Sequence, residues 1–300
     1  MAKWPVEIPI FPYLPFHLEI VGGVDWVQAT DPQGHITGIL PYAVKQKWGL
    51  SFITPPALSP RLGPWVLVPP DKSPQDRLAY ERHTLQALEG QLPAFDYARI
   101  HWPYTLSDGL AWQLKGWRQS VRYSYCLDLA PSMDDIFNGF QPHTRRHIRK
   151  AQQQLQIGDF ISDARFFQLA SDTFARQGLR MPFDDRLLSR LTAAWMQAGQ
   201  GRYLVASDAL GRVHAALFWV WDAHSAIYWL PFSDTALRQS GAASLLVYEA
   251  IRQSKALGLS TFDFEGSHLP GVEQFFRGFG GMPQPYYQFE KGRKWLMCWR

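Results

Sequence analysis

The sequence predicts a mixed α/β (α+β) protein built from two similar halves, each a mostly antiparallel sheet flanked by helices. Three observations lead to this fold class. Hydrophobic residues make up 46% and charged residues 19% of the 300 residues, which is the balance of a globular protein with a large core. Short strand-like segments are interspersed with segments of helical periodicity along the chain. A pattern of strands and turns in the first third of the chain returns in the last third.

The repeat consists of two turns and the strands around them. Residues 31–40 align with residues 208–217 at a constant offset of 177 residues, and each segment opens on an Asp-x-x-Gly turn. At the same offset the segment 50–53 falls on 227–230 without a gap. A short turn that joins two strands, with a third strand following, is typical of consecutive hairpins. We interpret the repeat as an internal duplication; the alternative is a coincidence between two ordinary hairpins.

The remaining elements follow from periodicity and from proline and glycine. Strands are predicted at 36–44, 50–54, 97–102, 121–129, 203–206, 213–221, 226–231 and 261–265, with a final strand pair from residue 286. Helices are predicted at 76–92, 134–140, 145–155 (capped by Thr144), 166–177, 184–197, 242–257 and 271–279. The boundary is placed near the basic helix, which gives domains of residues 1–140 and 141–300.

Composition argues against several classes of protein. The formal net charge of +4 is too small to indicate a nucleic-acid binder by itself. Cys126 and Cys298 are far apart in sequence, so we expect reduced thiols, with no disulfide framework and no metal site. Residues 1–7 do not resemble a signal peptide, and no run approaches the roughly 18 apolar residues of a membrane span. We expect a cytoplasmic protein without a membrane span, of unknown oligomeric state.

The segment between the strand 226–231 and the helix 242–257 is the strongest candidate for a binding site. It reads Arg238-Gln239-Ser240-Gly241-Ala242-Ala243. A loop of small residues that opens a helix offers unpaired backbone N–H groups and the positive end of the helix dipole, which suit a pyrophosphate. Gly241 would let the backbone approach the ligand, and Ala243 would keep the next turn free of bulk. All six residues are candidate donor-binding residues.

A second candidate site is a run of four cations within six residues at the start of the helix 145–155. The four are Arg145, Arg146, Arg149 and Lys150. The first and third share one helix face, and the second and fourth share another. Because stacked like charges repel each other, a polyanionic partner such as a phosphorylated acceptor would explain them. The alternative is a solvated surface helix balanced by Asp134 and Asp135.

Two carboxylates are the candidate catalytic residues. Asp263 and Glu265 are predicted to project from the same face of the strand 261–265, with two phenylalanines on the other face. A carboxylate held near an apolar cleft can have a raised pKa and accept a proton from an attacking amine. The alternative is that these carboxylates cap the following loop or pair with Arg277.

Several of these segments resemble a known family when taken together. The order is a basic run at 144–151, an Arg-x-x-Gly-x-Ala loop at 238–243, and two segments at 262–267 and 271–280. This order resembles GNAT N-acyltransferases, and in particular the FemAB-type branch of tandem GNAT-like proteins. The resemblance implies an acyl-CoA or aminoacyl-tRNA co-substrate, no tightly bound cofactor or metal, and an amine acceptor. In the FemAB-type branch the acceptor is a peptidoglycan precursor, which would imply a role in cell-wall synthesis.

The sequence also departs from the family pattern. GNAT acetyltransferases often have a tyrosine general acid directly after a phenylalanine in the last helix, and that position is Phe276 here. The long helical-hairpin arm of some FemAB-type members is missing. The first half has Arg61-Leu62-Gly63-Pro64 in place of the donor loop. Because Pro64 lacks an N–H group, we expect that half to have lost donor binding. The donor stays open between acyl-CoA and aminoacyl-tRNA.

The sequence as a whole therefore predicts an N-acyltransferase that moves an acyl or aminoacyl group to an amine of an anionic acceptor. Two alternatives stay open: an acyl-CoA-dependent small-molecule N-acetyltransferase, and an inactive GNAT pair that binds RNA or serves as a scaffold. The aromatic residues of the two central C-terminal strands are expected to form core, with one or two lining an acyl channel. They are Trp219, Trp221, Tyr228 and Trp229.

Overall fold

The structure is a computed structural model that describes residue 8 and residues 10–266 and 270–297. The strands are β1 (Val24–Thr30), β2 (Ile36–Lys47), β3 (Leu50–Ile53), β4 (Trp65–Val66), β5 (Tyr97–His101), β6 (Arg118–Asp128), β7 (Gln156–Gly158), β8 (Gly201–Ser207), β9 (Val213–Trp221), β10 (Ser225–Ser233), β11 (Thr261–Asp263) and β12 (Met282–Gly292). The helices are α1 (Pro15–Val21), α2 (Pro74–Gly90), α3 (Leu110–Gln113), α4 (Met133–Gly139), α5 (Pro142–Gln154), α6 (Asp163–Arg176), α7 (Asp185–Gln197), α8 (Ala242–Ala256), α9 (Pro270–Gly278) and α10 (Lys294–Met297). A 3₁₀ turn, Arg238–Ser240, precedes α8.

The chain forms two compact units. The N-terminal unit consists of Val21–Arg122 and Pro285–Arg300, and the C-terminal unit of Met1–Ile20 and Tyr123–Gln284. These units differ from the predicted division after residue 140. The segment that precedes the basic helix belongs to the C-terminal unit because α4 packs there: Phe140 is 2% exposed within its core, and Phe137 packs against that core.

The sheet of the C-terminal unit has the strand order β6-β11-β10-β9-β8-β7. Neighbours from β7 to β10 are antiparallel, whereas β11 runs parallel to β10 and antiparallel to β6. The crossover between the two parallel strands contains α8. One face of the sheet packs on α5 and α8 through apolar side chains that include Ile148, Leu245 and Phe262, each no more than 2% exposed. Burial of this apolar face stabilises the unit.

Residues 10–20 close the opposite face of the same sheet. The backbone N–H of Phe11 donates to Asp222 Oδ2 at 3.3 Å, and the Trp195 indole N–H donates to His17 Nδ1 at 3.2 Å. The His17 ring is fully buried and lies 5.7 Å from the ring of Trp229 on β10. Because the indole of Trp195 donates to Nδ1, that nitrogen of His17 must be unprotonated.

The sheet of the N-terminal unit has the strand order β1-β2-β3-β5-β12, and β4 pairs with β2. Here too the third strand of a meander, β3, is followed by a helix, α2, and by a parallel partner, β5. The core contains stacked aromatic rings. The Trp102 ring lies 5.1 Å from the Trp112 ring and 4.4 Å from the Phe289 ring. The elements β3, α2 and β5 of this unit therefore have the same strand–helix–parallel-strand arrangement as β10, α8 and β11.

The predicted internal repeat is confirmed in strand order and strand direction. The meanders β1-β2-β3 and β8-β9-β10 are both antiparallel throughout. The register also shifts at equivalent points, between Ala29 and Thr30 in the first meander and between Ala206 and Ser207 in the second. These positions lie 177 residues apart, like the turns that follow them.

The two turns have the same hydrogen bonds. Asp31 in one and Asp208 in the other use a single carboxylate oxygen to accept from the backbone N–H groups two and four residues later, at 2.8–3.1 Å. Asp208 has additional partners, with Arg212 at 2.7 Å and His214 Nε2 at 3.2 Å. The hydrogen bond from the Arg212 side chain is the main reason why the pKa of Asp208 lies well below its ordinary value.

We expect the substitution Asp208→Asn to lower the Tm at pH 7, because it keeps the turn's acceptor oxygen but removes the charge facing Arg212. The folded state lowers the pKa of Asp208, so its stabilisation is present above about pH 4, the unfolded pKa, and is lost as the pH falls below that value. The Tm difference between wild type and variant should therefore shrink below about pH 4. Thermal denaturation across this range provides the measurement, and a constant difference would contradict the assignment.

Candidate functional site

Two neighbouring parallel strands of the C-terminal unit separate after a short pairing. β10 pairs with β11 only through residues 225–227, whereas its pairing with β9 continues to Ser233. β11 ends at Asp263, and Glu265 then adopts a φ of 63°, which a strand does not contain. The edge of β10 beyond residue 227 therefore has backbone groups that β11 does not pair.

A β-bulge lies at the point of separation. The register between β10 and β9 shifts between Ile227 and Leu230, so Tyr228 and Trp229 lie within the irregularity. Such bulges redirect side chains and are frequent beside active sites. The Tyr228 ring lies on the face that carries α9, 5.9 Å from the ring of Phe276, whereas Trp229 packs with the N-terminal segment on the other face.

The predicted donor loop connects β10 to the N-terminus of α8. Gly241 is the N-cap residue, with a φ of 83°, and no side chain provides an N-cap hydrogen bond. The first turn of α8 contains no acidic residue. Among the described residues, no acceptor contacts the backbone N–H groups of Gly241, Ala243 or Ser244. This helix terminus therefore has donors available for an anion, together with the positive end of its dipole.

Two of the N–H groups in this loop are engaged within the loop itself. The N–H of Ser240 donates to the carbonyl of Leu237 at 3.2 Å, and that of Ala242 donates to Ser240 Oγ at 3.3 Å. The loop was predicted to offer unpaired backbone N–H groups, but those of Ser240 and Ala242 are not unpaired. The N–H groups that remain available to a ligand are those of Gly241, Ala243 and Ser244, because those of Ser240 and Ala242 bond within the loop.

Gly241 has a second role that the sequence did not reveal. A Cβ atom at this position would lie 2.6 Å from the carbonyl oxygen of His147 on α5. The residue is also in the left-handed region, where a side chain is disfavoured. The glycine therefore allows α8 to pack closely against α5, and a larger residue here would disturb the fold as well as the loop.

The equivalent helix of the N-terminal unit, α2, has a closed N-terminus. Ser73 caps it by accepting from the N–H of Asp76 at 3.2 Å, and Pro74 occupies the first turn without an N–H group. The carboxylate of Asp76 adds negative charge where an anion would bind. In the preceding loop, a Cβ on Gly63 would lie 2.0 Å from the carbonyl oxygen of His101, so this loop packs directly on β5.

The four predicted cations all lie on α5, beside the donor loop, and differ in their contacts. Arg145 donates to the carbonyl oxygen of Asn138, and the Arg149 guanidinium lies 5.5 Å from the centre of the Phe137 ring. Arg146 and Lys150 are exposed and have no hydrogen-bond or ion-pair partner within the described chain. None of the four cations pairs with a carboxylate of the described residues, so the balancing role suggested for Asp134 and Asp135 is not observed.

The charge of this helix affects a neighbouring histidine. The pKa of His147 is held below its ordinary value, first by burial, then by His143 and by the charges of Arg146 and Lys150. His147 also contributes the carbonyl that packs on Gly241. The cations therefore lie on the helix that contacts the start of α8.

The two predicted carboxylates do not share a strand face. Asp263 is fully buried, and its Oδ1 accepts from Ser124 Oγ at 2.5 Å and from the N–H of Glu265 at 2.8 Å. Glu265 lies beyond the end of β11, in a left-handed conformation, and is half-buried. Neither residue pairs with Arg277, whose partner is Glu273 at 2.6 Å. The contacts of Asp263 are those of a carboxylate that holds the following loop.

Phe276, on α9, lies at the centre of an aromatic group beside the separated strands. It is 3% exposed, and its ring centre lies 5.1 Å from Phe264, 5.9 Å from Tyr228 and 6.1 Å from Tyr125. The hydroxyl of Tyr125 donates to Glu273 Oε1 at 2.8 Å. The hydroxyl of Tyr228 has no hydrogen-bond partner among the residues that the structure describes.

The fold of the chain is similar to those of solved structures that include FemX and a tandem GNAT protein. Residues 141–277 match the family model described as the Acetyltransferase (GNAT) domain. FemX is similar with a TM-score of 0.62 and 12% identity, over 91% of this chain and 89% of FemX.

Two further solved structures show the same fold. A tandem GNAT protein from the clavulanic acid biosynthesis pathway has a TM-score of 0.55 and 11% identity, over 90% of this chain and 83% of its own. The C-terminal domain of a putative lysylphosphatidylglycerol synthetase from Agrobacterium fabrum has a TM-score of 0.53 and 14% identity, over 90% of this chain and 84% of its own. No curated protein sequence matches the chain.

Two features are absent from the described residues. No helix there combines the length and apolar character that crossing a bilayer requires. No cluster of three or more His, Cys, Asp or Glu side chains suited to a metal ion occurs in the same part of the chain. Cys126 is half-buried, and Cys298 lies outside the described residues.

We expect Gly241→Ala to destabilise the protein by at least about 1–2 kcal/mol, the cost of a side chain in a left-handed conformation, with the contact to His147 adding to it. Urea denaturation measures the effect. Gly211→Ala is a matched control, because Gly211 also has a positive φ but has open space where a Cβ would lie. Equal losses in the two variants would show that the packing against α5 contributes nothing.

Proposed function

We propose that the protein is an N-acyltransferase that transfers an acyl or aminoacyl group to an amine of an anionic acceptor. The observation that supports this most directly is the strand–loop–helix–parallel-strand arrangement of β10, α8 and β11. It combines an uncapped helix N-terminus, free of acidic residues, with a strand edge that is open beyond residue 227. An anionic donor group suits the first feature, and an extended chain with a carbonyl suits the second.

In the proposed complex the donor's phosphates contact the N–H groups of Gly241, Ala243 and Ser244, beside Arg238 and Gln239. The acyl carbonyl lies along the open edge of β10, where backbone N–H groups stabilise the negative charge that develops on its oxygen. An amine attacks the carbonyl carbon after losing its proton to Glu265 or to water. Holding donor and acceptor together supplies most of the rate enhancement.

The donor and acceptor are proposed as chemical classes. The donor is an acyl-CoA or an aminoacyl-tRNA, since both place an acyl carbonyl at the end of a phosphate-bearing molecule. Proteins of similar fold include a tandem GNAT protein whose structure was determined without AcCoA, and the C-terminal domain of a putative lysylphosphatidylglycerol synthetase. The acceptor carries phosphate, because Arg146 and Lys150 are exposed cations without partners beside the donor loop.

We expect Ala243→Asp to separate donor binding from stability. A carboxylate in the first turn stabilises a helix through its dipole by about 0.3–1 kcal/mol, so the Tm should stay the same or rise. The same carboxylate repels an anionic donor, so the affinity for CoA should fall at least about tenfold. Calorimetric titration with CoA and a filter assay with charged and uncharged tRNA measure the two donors in parallel.

The control for this experiment is Ala243→Asn, which has almost the same volume and no charge. A similar loss of affinity in both variants would indicate that bulk, and not charge, is responsible. Unchanged donor binding in Ala243→Asp would exclude the N-terminus of α8 as the donor site. A wild-type protein that binds charged and uncharged tRNA equally, and does not bind CoA, would favour the RNA-binding or scaffold alternative.

We expect the double variant Arg146→Gln/Lys150→Gln to bind tripolyphosphate several-fold more weakly than wild type and with a shallower salt dependence, because two cationic contacts are removed. Titrations between about 50 and 300 mM NaCl measure both quantities. Arg186→Gln/Arg190→Gln is the matched control, since it removes two exposed cations from α7. A tripolyphosphate affinity and salt slope equal to those of wild type would make the cations of α5 an ordinary solvated surface.

A further inference from the structure

We propose that Tyr228 is the proton donor to the leaving group of the transfer reaction. The inference rests on the proposed function and adds a catalytic residue to it. When the amine nitrogen attacks the acyl carbonyl, a C–N bond forms and the bond from carbonyl carbon to sulfur (or to the ribose oxygen) breaks. The departing thiolate or alkoxide needs a proton, which Tyr228 supplies from its hydroxyl. The tyrosinate then recovers the proton that the attacking nitrogen released, through solvent.

The position of Tyr228 supports this role. It is the first residue of β10 beyond the pairing with β11, so it lies where the two strands separate. The bulge with β9 occurs at the same residue and directs its ring toward α9. A donor whose phosphates bind at the start of α8, and whose chain follows the open edge of β10, passes Tyr228 before its acyl end.

The state of the Tyr228 hydroxyl supports it as well. The residue is only 8% exposed, yet within the described residues its hydroxyl makes no hydrogen bond. A hydroxyl that no group of the described residues engages is available to a bound ligand. Tyrosine is protonated at neutral pH, and burial raises the pKa of Tyr228, so the tyrosinate left after donation readily takes a proton back.

Neighbouring side chains are less suited to this role. Phe276 lies closest to the same region on α9 but carries no hydroxyl. Tyr125 borders the same ring, but its hydroxyl is already committed to Glu273 at 2.8 Å. Of the two tyrosines that flank Phe276, Tyr228 is therefore the one with a hydroxyl available for a ligand.

The test measures transfer from acetyl-CoA, and from alanyl-tRNA, to hydroxylamine, a small nucleophile that needs no acceptor pocket. Tyr228→Phe removes a single oxygen from an unbonded position, so its Tm should equal or exceed that of wild type. We expect its kcat to fall about a hundredfold, the typical contribution of a general acid, with the donor KM within about twofold of wild type. The matched control, Tyr125→Phe, should keep the wild-type kcat, and its Tm should fall with loss of the bond to Glu273.

The outcomes separate this inference from the proposed function. An active wild type whose Tyr228→Phe variant keeps its kcat would overturn the role of Tyr228 alone. A variant with an unchanged kcat but a raised donor KM would make Tyr228 a wall of the donor channel and would also overturn the proposal. A wild type that neither binds nor turns over either donor would overturn the proposed function, and this inference with it.

Discussion

The geometry of the site depends on one buried carboxylate. Asp263 accepts hydrogen bonds from Ser124 on β6 and from the backbone of Glu265, and so joins the end of β11 to its neighbouring strand. Burial of a carboxylate is costly unless its oxygens are satisfied, so these contacts are closely specified. They hold the backbone in the left-handed turn at Glu265 and Gly266, where a Cβ on Gly266 would lie 2.0 Å from the carbonyl of Tyr123. β11 stops there, and the edge of β10 is left open.

Much of the fold could be predicted from the sequence because its elements have clear periodicity. The repeated Asp-x-x-Gly turns indicated the duplication, and the segments around them form the predicted meanders. The elements that were missed, such as α1, β4 and β7, are short or exposed, so they carry little hydrophobic pattern. The division between the units was missed for a different reason: it depends on where α4 packs, and packing partners distant in sequence leave no local signal.

The site was predicted in outline but not in its contacts. The small residues of the donor loop identified the start of α8, because unpaired N–H groups follow from helix geometry alone. The packing of Gly241 on α5 could not be predicted, since it depends on a helix almost a hundred residues earlier in the chain. The common face proposed for Asp263 and Glu265 assumed that the strand continues to Glu265. The strand instead ends at Asp263, and Glu265 has a positive φ. Tyr228 looked like a core aromatic residue, because the lack of a hydrogen-bond partner is visible only in three dimensions.

The N-terminal segment that covers Trp195 and Trp229 has a consequence for the order of folding. Residues 10–20 are translated well before Trp195 on α7 and Trp229 on β10, whose side chains they contact. Phe11 and His17 must therefore stay unburied until those later elements have been made. Residues 10–20 complete the core of the C-terminal unit, so a fragment that begins at residue 141 would lack part of its own core. A chain that stops before α7 and β10 would leave this segment exposed to chaperones and proteases.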